Sequence, residues 1–183
     1  CGGGTVWDID KSFNKPLFKN AKYWSSQSHW DWATKTPNPR EKASFLKENI
    51  QPLKESGQLK LIEVPNFQGR ELQEIHFSEN ISCILVNGHT QSMMLPKINY
   101  KNKTLVYMAD LLPSVGHLPL PYVMGYDMQP LVTLNEKELF LTDAIKNNYT
   151  LFFEHDAVHE CCTVHETEKG IRANETFLLS EWI

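Results

Sequence analysis

The sequence predicts an α/β fold with helices packed on a mixed sheet. Three observations predict it. Short β-type segments arrive in runs, two stretches carry helix-start signals, and no internal repeat or low-complexity linker interrupts them. Residues 1–20, rich in Gly, Asn and Lys, read as loop. Residues 21–26 read as a short strand, and His29-Trp30-Asp31-Trp32 enters a helical turn. Its two Trp residues should anchor that turn to the body, with His29 and Asp31 outward; Trp7, Trp24 and Trp182 also read as packing residues. Asn38-Pro39-Arg40-Glu41 predicts a helix start: Asn38 caps, Pro39 suits the first position, and Glu41 reaches back to the cap amide. Ala43, Phe45, Leu46 and Ile50 give the apolar face, Pro52 interrupts, and Gly57 ends what continues.

Strand-type segments come next at 59–64, 72–77, 81–86, 93–98 and 104–109, each aliphatic or aromatic and bounded by Gly, Asn or Pro. A second helix is expected over 135–148, capped by Thr133 or Asn135, with Glu136 or Glu138 completing the cap. Leu139, Phe140, Ala144 and Ile145 should face the core. Residues 150–153, 162–166 and 176–179 read as closing strands.

The 183 residues are enough for one domain, or most of one, with a real core. With 18 basic and 22 acidic residues the net charge is −4, so no basic footprint for nucleic acid is present. No apolar run approaches the roughly 20 residues of a membrane span. Cys1-Gly2-Gly3-Gly4 lacks an initiator Met and resembles no signal peptide, so a chain cut from a longer protein is expected. Cys1, Cys83, Cys161 and Cys162 are too few and too irregular for a disulfide scaffold, which favours a reducing cytoplasm. Asn80, Asn102, Asn148 and Asn174 each open an N-x-Ser/Thr triplet, read here as turn composition.

Three predicted strands each lead into a metal-competent residue. Residues 81–86 run into Asn87-Gly88-His89-Thr90, 104–109 into Asp110, and 150–153 into Glu154-His155-Asp156. Sites in open α/β sheets gather at strand carboxyl ends. If the three strands are parallel neighbours, His89, Asp110 and His155 meet on one rim, a donor set suited to zinc. Gly88 should let the backbone bend sharply before His89. A rival cluster, His155, His159, Cys161, Cys162 and His165, is opposed by strand alternation, which sends Cys161 and Cys162 to opposite faces.

Gly88-His89-Thr90, then Asp110, then His155, spaced by 21 and 45 residues, resembles the second half of the metallo-β-lactamase superfamily pattern. Cys1-Gly2-Gly3 suits the position just after that family's His-x-His-x-Asp-His motif, which these 183 residues do not contain. The resemblance implies the C-terminal major part of a single αββα sandwich domain, its N-terminal strands missing, over residues 1–183. It implies a dinuclear zinc hydrolase in the intact protein, with one ion or none in this chain alone. His89 would complete one zinc site, His155 the other, and Asp110 would bridge them, as a ligand of the catalytic centre and not as a general base. Where the family often has Pro and Gly after Gly-His-Thr, Gln91 and Ser92 stand here. Residues 111–128, with Tyr126-Asp127, resemble the lactonase-like branch, which implies an ester or lactone, with His117 and Tyr126 as substrate-binding candidates. The expected partners are a small-molecule substrate and a companion chain or second copy, not nucleic acid or membrane. A non-catalytic scaffold that keeps the fold is the rival function.

Overall fold

The computed structural model describes residues 4–10, 12–35, 38–65 and 71–183. The chain separates into two compact units, Cys1–Pro65 and Asn66–Ile183. The expected start motif at Cys1-Gly2-Gly3 lies outside the described residues.

The first unit opens with a hairpin where loop is expected. β1 (Thr5–Asp8) pairs antiparallel with β2 (Phe13–Pro16). Ser12, at φ 55°, closes the turn, and Lys15 reaches the buried Asp8 at 2.9 Å. The abundance of Gly, Asn and Lys hides the short Thr5-Val6-Trp7 stretch that supplies the β propensity. β3 (Tyr23–Ser26) pairs parallel with β4 (Leu59–Ile62). Ser26 caps α1 (Gln27–Thr34) by accepting the His29 N–H at 3.0 Å. Trp30 packs with Ala33, Phe45 and Ile50, as expected of an anchor. His29 is half-buried, its ring edge-on to Phe45. Trp7 and Trp24 are 56% and 50% exposed, so they are not the packing residues expected.

The second helix of this unit, α2, spans Lys47–Glu55, later than the Asn38 start expected. Asn38 instead organises a turn, its side-chain oxygen accepting the Arg40 N–H at 2.9 Å. Glu41 is drawn away from the cap because its carboxylate accepts the Trp32 indole N–H at 2.7 Å and the Asn38 amide. Pro52 sits inside α2 and does not interrupt it. A helical proline deprives the carbonyl four residues back of its donor. Here that carbonyl belongs to Glu48, and Asn14 supplies a replacement N–H at 2.8 Å. Gly57, at φ 75°, ends the segment as expected.

The second unit is built on a seven-stranded sheet in the order β11-β10-β9-β8-β7-β6-β5. The strands are β5 (Gln73–His76), β6 (Ile81–Val86), β7 (Met93–Tyr100), β8 (Lys103–Tyr107), β9 (Thr150–Phe152), β10 (Cys161–Thr167) and β11 (Gly170–Phe177). Every adjacent pair is antiparallel except β8 and β9, which are parallel. β6, β8 and β9 therefore run in one direction, although β7 separates β6 from β8 and the three are not all neighbours. The last strand begins at Gly170, well before the expected Thr176. A short helix, α4 (Leu179–Trp182), comes after it and buries Trp182, whose indole donates to Thr150.

α3 spans Pro130–Lys146 and starts five residues before the expected 135. Pro130 occupies its first turn, where a missing N–H costs nothing. Neither Thr133 nor Asn135 caps it. Phe140, Leu141 and Ala144 pack with Ile84, Val86, Val106 and Leu151 in one continuous core, while Leu139 and Ile145 are half-buried. Cys161 and Cys162, both buried, pair with Phe152 and Leu151. Burial pushes their thiols up to about 11 and about 12, as expected of thiols in apolar surroundings.

Candidate functional site

The carboxyl ends of β6, β8 and β9 deliver His89, Asp110 and His155 to one rim. The Asp110 carboxylate lies between the two imidazoles: Oδ2 is 3.4 Å from His89 Nε2, and Oδ1 is 3.3 Å from His155 Nε2. The side chains grade from inner to outer, at 13% exposed for His89, 28% for Asp110 and 54% for His155. Ala109 holds φ 42°, so a non-glycine residue in the left-handed region immediately precedes Asp110. Such backbone costs on the order of 1–3 kcal/mol and persists where the surroundings enforce it.

Gly88 does not act through a special bend. A Cβ placed on it would lie 2.3 Å from the Thr133 backbone nitrogen and 2.5 Å from its Cα. Glycine is needed there because α3 passes against the loop that presents His89. α3 also holds that loop by hydrogen bonds. Glu136, 1% exposed, accepts the Asn87 N–H at 2.7 Å and the Gly88 N–H at 2.9 Å. Burial pushes its carboxyl up to about 7 despite those two donors. Ser92 sits at φ 51°, the left-handed region a glycine adopts freely, and its N–H donates to Asn87 Oδ1 at 2.8 Å. Ser92 so takes up the turn that Gln91-Ser92 put in question.

Asp127, named beside Tyr126 in the resemblance but given no role there, stands behind His89. Its Oδ1 lies 2.8 Å from His89 Nδ1, and its side chain is 1% exposed. A hydrogen bond on Nδ1 leaves Nε2, the nitrogen facing Asp110, as the lone-pair donor. Oδ2 of Asp127 is buried with no hydrogen-bond partner among the described residues. The signal was available in kind, since a liganding histidine needs an acceptor for its other nitrogen. Nothing in the spacing says that residue 127 reaches residue 89.

The loops outside the rim form a pocket of about 350 Å³ lined by Pro113, Ser114, His117, Val123, Met124, Gly125, Tyr126 and His155. His117 and Tyr126, the two substrate-binding candidates, therefore share one wall system with His155. The Tyr126 ring stands edge-on to His89, centroids 6.0 Å apart. His117 Nδ1 is 2.8 Å from Ser114 Oγ, and burial, then the Lys137 charge, lowers its pKa, with Asp127 opposing. Asp156 pins the rim by accepting the Val115, Val158 and His159 N–H groups at 3.0, 2.9 and 2.9 Å.

The donor types fit zinc: two imidazole nitrogens face a carboxylate, and one imidazole is oriented from behind. The number falls short. Among the described residues no group of three or more His, Cys, Asp or Glu side chains is arranged to enclose a metal ion, and that includes the rival cluster around His159 and Cys161. Asp110 links the two histidines, but the histidines do not close a cage around it.

No family model matches the chain, and no curated relative matches it. Solved structures do. A probable metal-dependent hydrolase from Staphylococcus aureus superposes with a TM-score of 0.73 at 23% identity, over 90% of this chain and 54% of that one. AidC, a dizinc quorum-quenching lactonase in complex with a homoserine product, superposes with a TM-score of 0.68 at 20% identity, over 94% and 60%. A hydrolase of the β-lactamase superfamily, AbOPH, gives 0.64 at 17% identity, over 86% and 56%. The chain thus has the metallo-β-lactamase fold, and it spans little more than half the length of the chains it matches.

Proposed function

We propose that this chain supplies part of the metal centre of a hydrolase that cleaves an ester, a lactone or a related carbonyl compound. The observation that carries the reading is the Asp110 carboxylate, with one oxygen directed at each of two histidine Nε2 atoms. His89, Asp110 and His155 are the side chains that would hold zinc, with Asp110 shared between two ions in the longer protein. Bound zinc supplies Lewis-acid polarisation of a carbonyl and lowers the pKa of water. The remaining ligands belong, on this reading, to a His-x-His-x-Asp-His segment that these 183 residues do not contain.

The chain's own residues do the rest. Asp127 orients His89, Glu136 fixes the loop behind it, and His117 and Tyr126 contact the substrate. Pro113, Val123 and Met124 give the pocket apolar walls suited to an acyl group, because Met and Tyr adapt to flexible chains. The lactone-product complex of AidC supports the lactone class among the carbonyl substrates. A reducing, cytoplasmic setting accompanies this reading: the three described cysteines are free and buried. Among the described residues no helix is long and apolar enough to cross a membrane.

Zinc titration of the 183-residue chain against a chromophoric chelator tests the assignment. Weak uptake of one ion is expected, lost in Asp110→Ala and in His155→Ala and retained in Cys161→Ser. Equal uptake by the wild type and Asp110→Ala would remove the site.

A further inference from the structure

Among the described residues of the second unit Lys137 is the most buried cation, at 0% exposure, on a helix whose neighbouring position already braces the His89 loop. Its three ammonium donors are all used, and all three acceptors come from one short loop. Nζ donates to the carbonyls of Pro119, Leu120 and Tyr122 at 3.0, 3.2 and 2.7 Å. Prolines at 119 and 121 give that loop two fewer N–H groups. The Pro119 carbonyl also accepts the Tyr122 N–H at 2.9 Å, whereas for the Leu120 and Tyr122 carbonyls Lys137 is the donor. The next residues, Val123 to Tyr126, form one wall of the pocket beside His155.

We propose that Lys137 is a positioning residue for substrate selection: its buried ammonium gathers the 119–122 carbonyls and so sets the wall made by Val123, Met124 and Tyr126. This rests on the reading above only in taking that pocket as the substrate site. The chemistry suits lysine specifically. Three tetrahedral donors converge on three carbonyls from one side, which the planar fork of arginine cannot reproduce and a neutral side chain cannot match in number. The cost of burying the charge shows in a pKa drawn down to about 8 by burial, with Asp127 opposing. Glu136 and Lys137 are adjacent, yet they brace different parts of the site, the His89 turn and the pocket wall.

Hydrogen exchange on the whole chain tests this without reference to activity. Lys137→Met keeps the aliphatic volume and removes every donor, while Lys137→Gln keeps two. Protection of amides 118–127 is expected to fall at least tenfold in the Met variant and less in the Gln variant, with β6 to β9 and the C-terminal half of α3 unchanged. If the Met variant does not fold, the Gln variant alone must show the local loss. Unchanged loop protection, or loss spread evenly over the sheet, overturns the proposal, as does failure of both variants to fold, since Lys137 would then support the whole unit. In the longer protein with an acyl lactone, KM should rise about tenfold in Lys137→Gln with kcat within about twofold. A protein without lactonase activity would sink the functional reading while leaving the exchange result standing.

Discussion

At the scale of single residues, the site is a matter of which atom of each ring is committed. His89 has one nitrogen on Asp127 at 2.8 Å and the other facing Asp110 at 3.4 Å. The buried Asp127 carboxylate thereby selects the tautomer and the ring plane. Asp127→Asn keeps the shape but removes the charge and allows the amide to turn its NH₂ toward Nδ1. Zinc affinity should fall about 10- to 100-fold, the usual effect of losing such a partner. A competition titration giving the same Kd for both proteins would show that Asp127 does not orient the ring. The sequence made His89, Asp110 and His155 legible because each comes soon after an apolar strand. It hid Asp127 because the contact spans 38 positions and depends on how the loop after β8 folds back.

At the scale of elements, α3 acts as a brace. Its first turns touch the exit of β6 at Gly88, its Glu136 holds the Asn87 and Gly88 amides, and its Lys137 holds the pocket loop. Glu136 has a carboxyl raised from 4.5 to about 7, so the folded chain binds a proton there more tightly than the unfolded one. Its contribution is complete below about pH 4.5 and is lost as the pH rises through about 7. Glu136→Gln carries no such titration. The stability difference between wild type and Glu136→Gln should shift against the wild type by at most about 3 kcal/mol between pH 4.5 and 8. Denaturant unfolding at several pH values measures it, and a difference that stays flat would contradict the assignment. Expecting α3 over 135–148, with Glu136 as a cap partner, missed this brace, because the helix opens at Pro130. The hairpin at β1 and β2 was hidden by composition. The late start of α2 reflects Glu41 answering the Trp32 indole instead of its own helix end.

At the scale of the whole molecule, the proposed ligand set of His89, Asp110 and His155 is too small for two metal ions. Catalytic zinc sites use about three protein ligands per ion and keep an open position. The 183-residue chain with added zinc should therefore show no turnover of an acyl lactone, whereas a polypeptide that also carries the His-x-His-x-Asp-His segment should turn it over. Turnover by the 183 residues at the longer protein's rate would refute the division of ligands, and a longer protein that binds zinc but hydrolyses nothing would favour a scaffold. The sequence by itself determined the α/β class, the strand at 81–86, the strand at 150–153 to within one residue, and the order of the three metal-competent residues. These are local quantities, set by short apolar runs and the polar residues at their carboxyl ends. Only the tertiary structure decided that β7 separates β6 from β8, that Gly88 is required by the close passage of Thr133, and that Asp127 reaches His89, Glu136 the Asn87 and Gly88 amides, and Lys137 the carbonyls of Pro119, Leu120 and Tyr122. Those facts depend on pairing and packing between residues far apart in the chain, where the energy of a contact leaves no periodic mark on the residues that make it.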